Sequence, residues 1–201
     1  MPAYYPIFLD LAQRRCLVVG GGTVAERKVQ GLLEAKAHVV VVSPSLTEML
    51  HMSAINGDIS HIPRGFRDED VEGCALVIGA TDRVEVNTSV AAAARRRGVW
   101  VNVVDTPNVC DFIAPALIRR GALQIAISTG GNSPTLAKRL RQGLEVLIGP
   151  EYGELADVLG ALRAAIRCQA ERPEGQKAMF QHLVEASGLP LIAAATISEH
   201  L

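Results

Sequence analysis

The sequence predicts an α/β fold: a parallel sheet with helices on both faces, followed by a hairpin–helix segment and a small helical C-terminal domain. Five short runs rich in Val and Ile show no alternation with polar residues, as is typical of strands buried on both faces. Helical patterns separate most of these runs, and this order favours parallel strands joined by right-handed crossovers. With 201 residues, 49% of them apolar, the chain is long enough to bury such a core.

The first half of the chain shows the strand and helix patterns in regular succession. The runs with strand character lie at residues 16–20, 39–43, 59–62, 76–80 and 101–104. The runs with helical spacing of apolar residues lie at residues 24–35, 47–55 and 84–97. The third connection, near residues 68–71, is short. We therefore expect residues 1–112 to form one domain.

A different pattern begins after Asp111. Strand-like runs at residues 116–119 and 123–128 flank Arg120-Gly121-Ala122, which suits the connection of a β-hairpin. The chain here is predicted to leave the parallel sheet and form a separate unit.

A helix is predicted to follow this hairpin. Ser133 suits the N-cap and Pro134 the first helical position, and the pattern continues to about residue 148. One side of this helix carries four leucines: Leu136, Leu140, Leu144 and Leu147. Because a hairpin and one helix are marginally stable alone, we expect residues 113–149 to dimerise the chain. Residues 150–201 keep helical spacing and are expected to form a helical domain, although the tail at 189–201 predicts no particular element.

The composition excludes several classes of protein. A formal net charge of −1 argues against a nucleic-acid-binding protein. No apolar run reaches the length of a membrane span and the first ten residues lack a basic leader, so we expect a cytoplasmic protein. The four cysteines are widely spaced and three lie in or beside strand-like runs, which favours buried, reduced thiols.

Positive charge is concentrated in the middle of the chain. Residues 113–150 contain one acidic residue and five basic ones: Arg119, Arg120, Lys138, Arg139 and Arg141. Taken alone, this cluster indicates a solvent-exposed face of the hairpin and helix, and the alternative is a binding surface for a polyanion.

A glycine pattern follows the first strand and opens the first helix. Gly20, Gly22 and Ala25 fit G-x-G-x-x-A in the strand–turn–helix context that dinucleotide binding requires. Gly20 permits the tight turn, Gly22 admits the pyrophosphate, and Ala25 allows close packing of helix on strand. The helix N-terminus supplies open N–H groups and the positive end of the dipole. The pattern predicts a Rossmann-like domain that binds a nucleotide, which we expect to be NAD, with a plain glycine turn as the alternative.

The second strand lacks the acidic residue that commonly binds the adenosine ribose. Ser43-Pro44-Ser45 stands at its end, and both serines can hydrogen-bond ribose hydroxyls. Without a carboxylate nothing repels a 2′-phosphate, so these residues favour NAD over NADP only slightly.

Asp105 follows the fifth strand, at the sheet edge where open α/β folds bind ligands. It is our candidate general base, because a carboxylate there could accept a proton from a bound substrate. A turn role before Thr106-Pro107 is an equally good interpretation of its position alone.

The chain resembles the precorrin-2 dehydrogenase family, which includes the amino-terminal part of sirohaem synthases. The resemblance extends over about residues 6–145 in order. The matching elements are Pro6-Ile7-Phe8, Gly20–Gly22, Val24-Ala25-Glu26-Arg27-Lys28, Ala80-Thr81-Asp82, Val86-Asn87, residues 102–105 with Pro107, Phe112-Ile113, Pro115-Ala116, residues 127–134, Leu136-Ala137 and Leu140-Arg141. Arg83 stands where many members have an acidic or amide residue, and Thr129 stands where some members have serine.

The resemblance implies an NAD-dependent oxidation of precorrin-2 to sirohydrochlorin by a homodimer, and in some members insertion of ferrous iron to give sirohaem. Asp105 matches the family's catalytic aspartate. The implied cofactor site comprises Gly20, Gly22, Thr23, Val24, Ser43, Pro44, Ser45 and Thr81. The implied substrate site comprises Asn102, Arg119, Arg120, Ser128, Thr129, Lys138 and Arg141. Because precorrin-2 carries eight carboxylates, the resemblance favours the basic cluster as an electrostatic funnel for this small-molecule substrate.

Two other functions remain open from the sequence. One is an NAD-sensing or ligand-gating module, and the other is a chelatase whose dehydrogenase activity is secondary. The five histidines show no paired ligand spacing, so we expect no resident metal site, and ferrous iron would be a substrate. Because the sequence ends at residue 201, we expect no methyltransferase domain such as some relatives carry.

Overall fold

The computed structural model describes residues 4–169 and 173–189, and the chain divides into two compact units. The first, ending at Ala114, contains β1 (Arg15–Val19), α1 (Thr23–Glu34), β2 (His38–Val42), α2 (Glu48–Ile55), β3 (Ile59–Ile62), β4 (Leu76–Gly79), α3 (Val84–Arg96) and β5 (Trp100–Val103). The second, beginning at Pro115, contains β6 (Ala116–Arg120), β7 (Leu123–Ile127), α4 (Pro134–Leu147), α5 (Pro150–Gln169) and α6 (Pro173–Ala186). The finer division at residues 112 and 149 stays a prediction, and the tail at 190–201 lies outside the described residues.

The strands of the first unit form one parallel sheet in the order β3-β2-β1-β4-β5. Leu17 in the central strand β1 pairs with Val40 of β2 and Val77 of β4. The chain winds outward from β1 to β3 and then returns to β4, so the winding direction reverses between β1 and β4. Ligands of open α/β sheets bind at such a reversal, outside the carboxyl ends of the strands. The predicted Rossmann-like sheet is confirmed.

Both faces of this sheet are buried, which explains why its strands lack polar alternation. Cys16 and Val18 of β1 belong to the same core cluster as Ala25 of α1. Leu17 belongs to the opposite cluster, with Val90 of α3. Since burying a Val or Leu side chain contributes roughly 1.5–3 kcal/mol, these continuous apolar strands are the main source of the unit's stability.

The connection before β4, which the sequence predicts to be short, contains a 3-10 turn, Asp68–Val71. Its buried Asp70 carboxylate accepts hydrogen bonds from both Nη atoms of Arg64, at 2.6 and 2.8 Å. It also accepts one from the Arg67 N–H at 2.8 Å. On the amino side of β1, the Arg15 guanidinium donates to the Asp70 carbonyl, so this turn lies at the end of the sheet opposite the glycine turn.

All four cysteines are free thiols. Cys16 and Cys74 are buried, Cys110 is half-buried and Cys168 is exposed. Burial, with a smaller contribution from Cys74, raises the pKa of Cys16 to about 11, so this thiol is neutral in the core.

The second unit is built on an antiparallel hairpin in which Ala116 pairs with Ile127 and Arg120 with Leu123. Gly121 in the turn has a φ of +52°. Helix α5 approaches so closely that a Cβ on Gly153 would overlap the Arg120 carbonyl. Helix α4 begins as predicted, because the Ser133 hydroxyl accepts from the Leu136 N–H at 3.1 Å.

The leucine side of α4 is incompletely covered. Leu136, Leu140 and Leu147 are 50%, 47% and 59% exposed, although Ala137 on the same helix is buried. Within residues 4–169 and 173–189, none of the helices has the length and hydropathy that a bilayer span requires.

Candidate functional site

The first two glycines of the turn after β1 are held between two loops. Gly20 is buried with a φ of +122°, and its N–H donates to the Val42 carbonyl at 2.9 Å. A Cβ on Gly20 would overlap the Ala80 carbonyl, and one on Gly21 would overlap the Ser45 carbonyl. Both positions therefore require glycine. Sequence reasoning missed Gly21, which is a free position in the motif.

Gly22 differs from its neighbours because it faces open space. It is the N-cap of α1 with extended backbone, and a Cβ built on it would meet no protein atom within 4 Å. No side chain caps α1, so the first N–H groups of the helix are available to an anion. Thr23 beside them is exposed, while Ala25 is fully buried as the close helix–strand contact requires. This open, uncapped cradle fits the pyrophosphate of NAD.

Of the three residues predicted to bind the cofactor in the loop after β2, two are exposed. Ser43 is buried, and its hydroxyl donates to the Ser45 carbonyl at 2.7 Å. The His61 ring donates from Nε2 to the Ser43 carbonyl at 2.9 Å, because a carbonyl oxygen can only accept. Pro44 and Ser45 are exposed. Ser43 thus shapes the loop, and Pro44 and Ser45 are accessible to a ligand.

Thr81 lies half-buried in the loop after β4. Its hydroxyl donates to Oδ1 of Asn87 at 2.9 Å. Asn87 is a buried residue of α3 that the sequence motif contains but to which sequence reasoning gave no role.

Asp105 lies just beyond β5, at the carboxyl end of the sheet. It is exposed, has a φ of +58°, and belongs to a turn closed by the Thr106 N–H and the Val103 carbonyl at 3.3 Å. Within the described residues its carboxylate makes no hydrogen bond or ion pair, so the turn is closed by the backbone and not by an Asx side chain. This leaves the carboxylate accessible to a substrate.

Lys28 of α1 is a cation that lies close enough to interact with the Asp105 side chain. Burial lowers the pKa of Lys28, Arg27 lowers it further, and the nearby side chains of Cys110 and Asp105 oppose the shift. Lys28 belongs to the family motif, but sequence reasoning assigned it no function.

The segment after Asp105 folds back along the edge strand β5. The Cys110 sulfur accepts from the Val103 N–H at 3.2 Å and lies 3.2 Å from the carbonyl oxygens of Val103 and Thr106. Asp111 accepts from the Val101 N–H at 3.0 Å. Burial is the main cause that raises the pKa of Cys110, so the thiol is neutral. Cys110 therefore ties together both ends of the turn that carries Asp105.

Asn102 is buried in β5, where its amide nitrogen donates to the Phe112 carbonyl at 2.9 Å. This contact holds the returning segment, so the amide nitrogen of Asn102, a predicted substrate residue, is used within the protein.

The predicted substrate residues of the second unit have different surroundings. The Arg120 guanidinium donates to the carbonyls of Ile148, Arg119 and Glu145, at 3.0, 3.0 and 3.4 Å, and so caps the C-terminus of α4. Arg141 pairs with Glu145 at 2.5 Å. Lys138 and Arg139 are exposed, and Arg119 is half-buried.

Ser128 and Thr129 build the loop before α4. The Ser128 hydroxyl accepts from the Gly130 N–H at 3.0 Å, and the Thr129 hydroxyl accepts from the Ser133 N–H at 3.0 Å.

In the described part of the chain, no group of three or more His, Cys, Asp or Glu side chains could hold a metal ion.

Two family models match the chain. The one described as "Putative NAD(P)-binding" matches residues 7–116, and the one described as "Sirohaem biosynthesis protein central" matches residues 120–147. The predicted NAD cofactor is confirmed by the first match, which covers the open glycine turn.

Curated relatives carry the same name repeatedly. Siroheme synthase of Thioalkalivibrio sulfidiphilus is 43% identical over 90% of this chain and 37% of its own length. Siroheme synthase of Nitrosomonas europaea is 40% identical over 95% of this chain and 40% of its own length. The chain thus spans about two-fifths of the length of these relatives.

Among solved structures, that of "SirC, precorrin-2 dehydrogenase" matches with a TM-score of 0.75 and 27% identity. The match covers 90% of this chain and 89% of that one. The resemblance predicted from the sequence is confirmed: the chain belongs to the NAD(P)-binding family matched at residues 7–116, in the group that contains precorrin-2 dehydrogenase and the sirohaem synthases.

Proposed function

We propose that this protein catalyses the NAD-dependent dehydrogenation of precorrin-2 to sirohydrochlorin, as a step in the biosynthesis of sirohaem or a related tetrapyrrole. The observation that carries this proposal is the match to a precorrin-2 dehydrogenase, which extends over nearly the whole of both chains. The open N-terminus of α1 at Gly22 supplies the cofactor site that such a reaction needs.

The proposed chemistry divides two hydrogens of the substrate between two acceptors. NAD, when bound, takes up a hydride, and the second hydrogen leaves as a proton. We assign that proton to the Asp105 carboxylate, which is exposed and unpaired within the described residues at the carboxyl end of β5. Lys28 adds a positive charge that acts on the same carboxylate.

Substrate capture is assigned to exposed cations of the second unit. Precorrin-2 carries eight carboxylates, and Lys138 and Arg139 project from α4 into solvent. Arg120 and Arg141 contribute less than the sequence suggests, because a helix C-terminus and Glu145 already engage them.

We propose that the active form is a homodimer in which a second copy covers the leucine side of α4. Three leucines on that side are about half exposed to solvent, and a monomeric protein rarely exposes a contiguous apolar surface of this kind. A symmetric pair would bury the same surface on both copies.

Insertion of ferrous iron is a second candidate activity, favoured by the name siroheme synthase that the curated relatives carry. The iron would enter as a substrate bound mainly by the tetrapyrrole. Asp105 would then accept protons from the pyrrole nitrogens.

The test is anaerobic incubation of the purified protein with precorrin-2 and NAD, followed by ferrous iron, with absorbance spectra at each stage. NADH and sirohydrochlorin should form together in the first stage. Binding of NAD without any NADH formation would overturn the proposal and favour an NAD-sensing module. A sirohaem spectrum that appears faster than in a protein-free control after iron addition would establish chelation.

A further inference from the structure

The loop that joins β4 to α3 lies against the glycine turn. The Ala80 N–H donates to the Val19 carbonyl at 2.8 Å, and the Ala80 carbonyl occupies the space beside Gly20. The winding of the sheet reverses between β1 and β4, so this loop and the glycine turn border the crevice in which a dinucleotide binds.

One side chain determines the path of this loop. Oδ1 of Asn87 accepts from the Thr81 N–H at 3.3 Å and from its hydroxyl at 2.9 Å, and Nδ2 donates to the Thr81 carbonyl at 2.9 Å. The reversed amide would set N–H against N–H and C=O against C=O, so the contacts allow a single orientation. Asn87 thus satisfies both backbone polar groups of Thr81.

The packing of α3 on the sheet does not depend on the hydrogen bonds between Asn87 and Thr81. Val90, Ala91 and Ala94 are buried apolar residues that attach the helix to the sheet. The polar contacts of Asn87 instead go to the loop, and Gly79 leaves room for its amide, because a Cβ there would lie 3.3 Å from Oδ1.

We propose that Asn87 is a positioning residue for the cofactor: its amide fixes the Ala80–Thr81 backbone against the glycine turn and so sets one wall of the dinucleotide site. This inference rests on the NAD binding that the proposed function requires. Without the amide, Thr81 loses two backbone hydrogen bonds and one from its hydroxyl. Its backbone can then rotate, and part of the binding free energy is spent on ordering it.

The test compares the dissociation constant for NAD, by calorimetry, in the wild type, Asn87→Ala and Asn87→Asp. Asn87→Asp retains the acceptor for Thr81 but sets an oxygen against its carbonyl. Asp70→Asn is the matched control, since it removes charge from a buried side chain of the same unit at the opposite end of the sheet. Melting temperatures report how far each variant is destabilised.

Both Asn87 variants should bind NAD about tenfold more weakly, whereas Asp70→Asn should lower the melting temperature and leave NAD affinity unchanged. Asn87 variants that fold and bind NAD as the wild type does would overturn this inference alone. If Asn87→Ala does not fold, the isosteric Asn87→Asp decides the question. A wild type that binds no NAD would overturn the proposed function together with the inference.

Discussion

The carbonyl oxygen of Ala80 occupies the space that a side chain on Gly20 would require. A Cβ built on Gly22, two residues later, would meet no neighbouring group within 4 Å. Two glycines of one motif therefore have separable roles: Gly20 admits the neighbouring loop, and Gly22 leaves space for a ligand.

Replacing Gly22 with Val should weaken NAD binding by about tenfold or more, because the new side chain fills the approach to the α1 N–H groups. The fold should survive, since this backbone is extended and a Cβ built here meets no neighbouring group within 4 Å. Calorimetric titration with NAD checks the affinity. Gly20→Ala is the contrasting variant, and it should lower the melting temperature markedly through overlap and a strained φ. Unchanged affinity in a folded Gly22→Val protein would contradict the cofactor assignment at this turn.

The leucine side of α4 should mediate self-association. Leu140→Asp places a charge in that surface and should shift the protein from dimer to monomer at micromolar concentration, as measured by sedimentation equilibrium. Gln142→Asp adds the same charge at an exposed position of the helix and should leave the dimer intact. A wild type that is monomeric under these conditions would refute the proposed homodimer.

Cys110 should affect turnover through the turn that carries Asp105. Cys110→Ala removes the sulfur that bridges Val103 and Thr106, so kcat should fall by about tenfold while NAD affinity is retained. Cys110→Ser keeps a donor and an acceptor and should recover part of the loss. Equal kcat values for the alanine variant and the wild type would show that the thiol does not position the turn.

Acid should destabilise the first unit through Asp70. Burial opposes ionisation, but the hydrogen bonds from Arg64 and the Arg67 N–H outweigh it and lower the pKa of Asp70 below its usual value. A carboxylate whose pKa is lower in the folded state than in the unfolded state stabilises the fold at pH values above its unfolded-state pKa. This stabilisation is lost as the pH falls through the folded-state pKa. The melting temperature of the wild type should therefore exceed that of Asp70→Asn by several degrees at neutral pH, and the gap should narrow on acidification below about pH 4. A gap that is constant with pH would contradict this account.

The sequence predicted the sheet well because its strands are buried on both faces. Runs of Val and Ile located each strand to within a residue, and β1, β2 and β5 begin one residue earlier than expected, at Arg15, His38 and Trp100. The N-cap at Ser133 was equally predictable, since its side chain accepts a hydrogen bond from an N–H only three residues away.

Features that depend on contacts between distant residues could not be predicted. Charge counting cannot show that Arg120 donates to the carbonyl of Ile148, 28 residues later, at the end of α4. The role of Gly21 depends on the approach of Ser45, and that of Asn87 on the path of the loop at Thr81. Each of these requires the relative placement of two elements, which local pattern does not specify.

The central claim is that Asp105 takes the proton while NAD-dependent oxidation of precorrin-2 proceeds. Asp105→Asn tests it well, because asparagine also tolerates a positive φ and should preserve the turn, the dimer and NAD affinity. The decisive measurement is single-turnover NADH formation from precorrin-2 by the wild type and Asp105→Asn, with melting temperature as the control for folding. The rate for the variant should be lower by about 10²-fold or more. A folded Asp105→Asn protein that forms NADH at the wild-type rate would contradict the account.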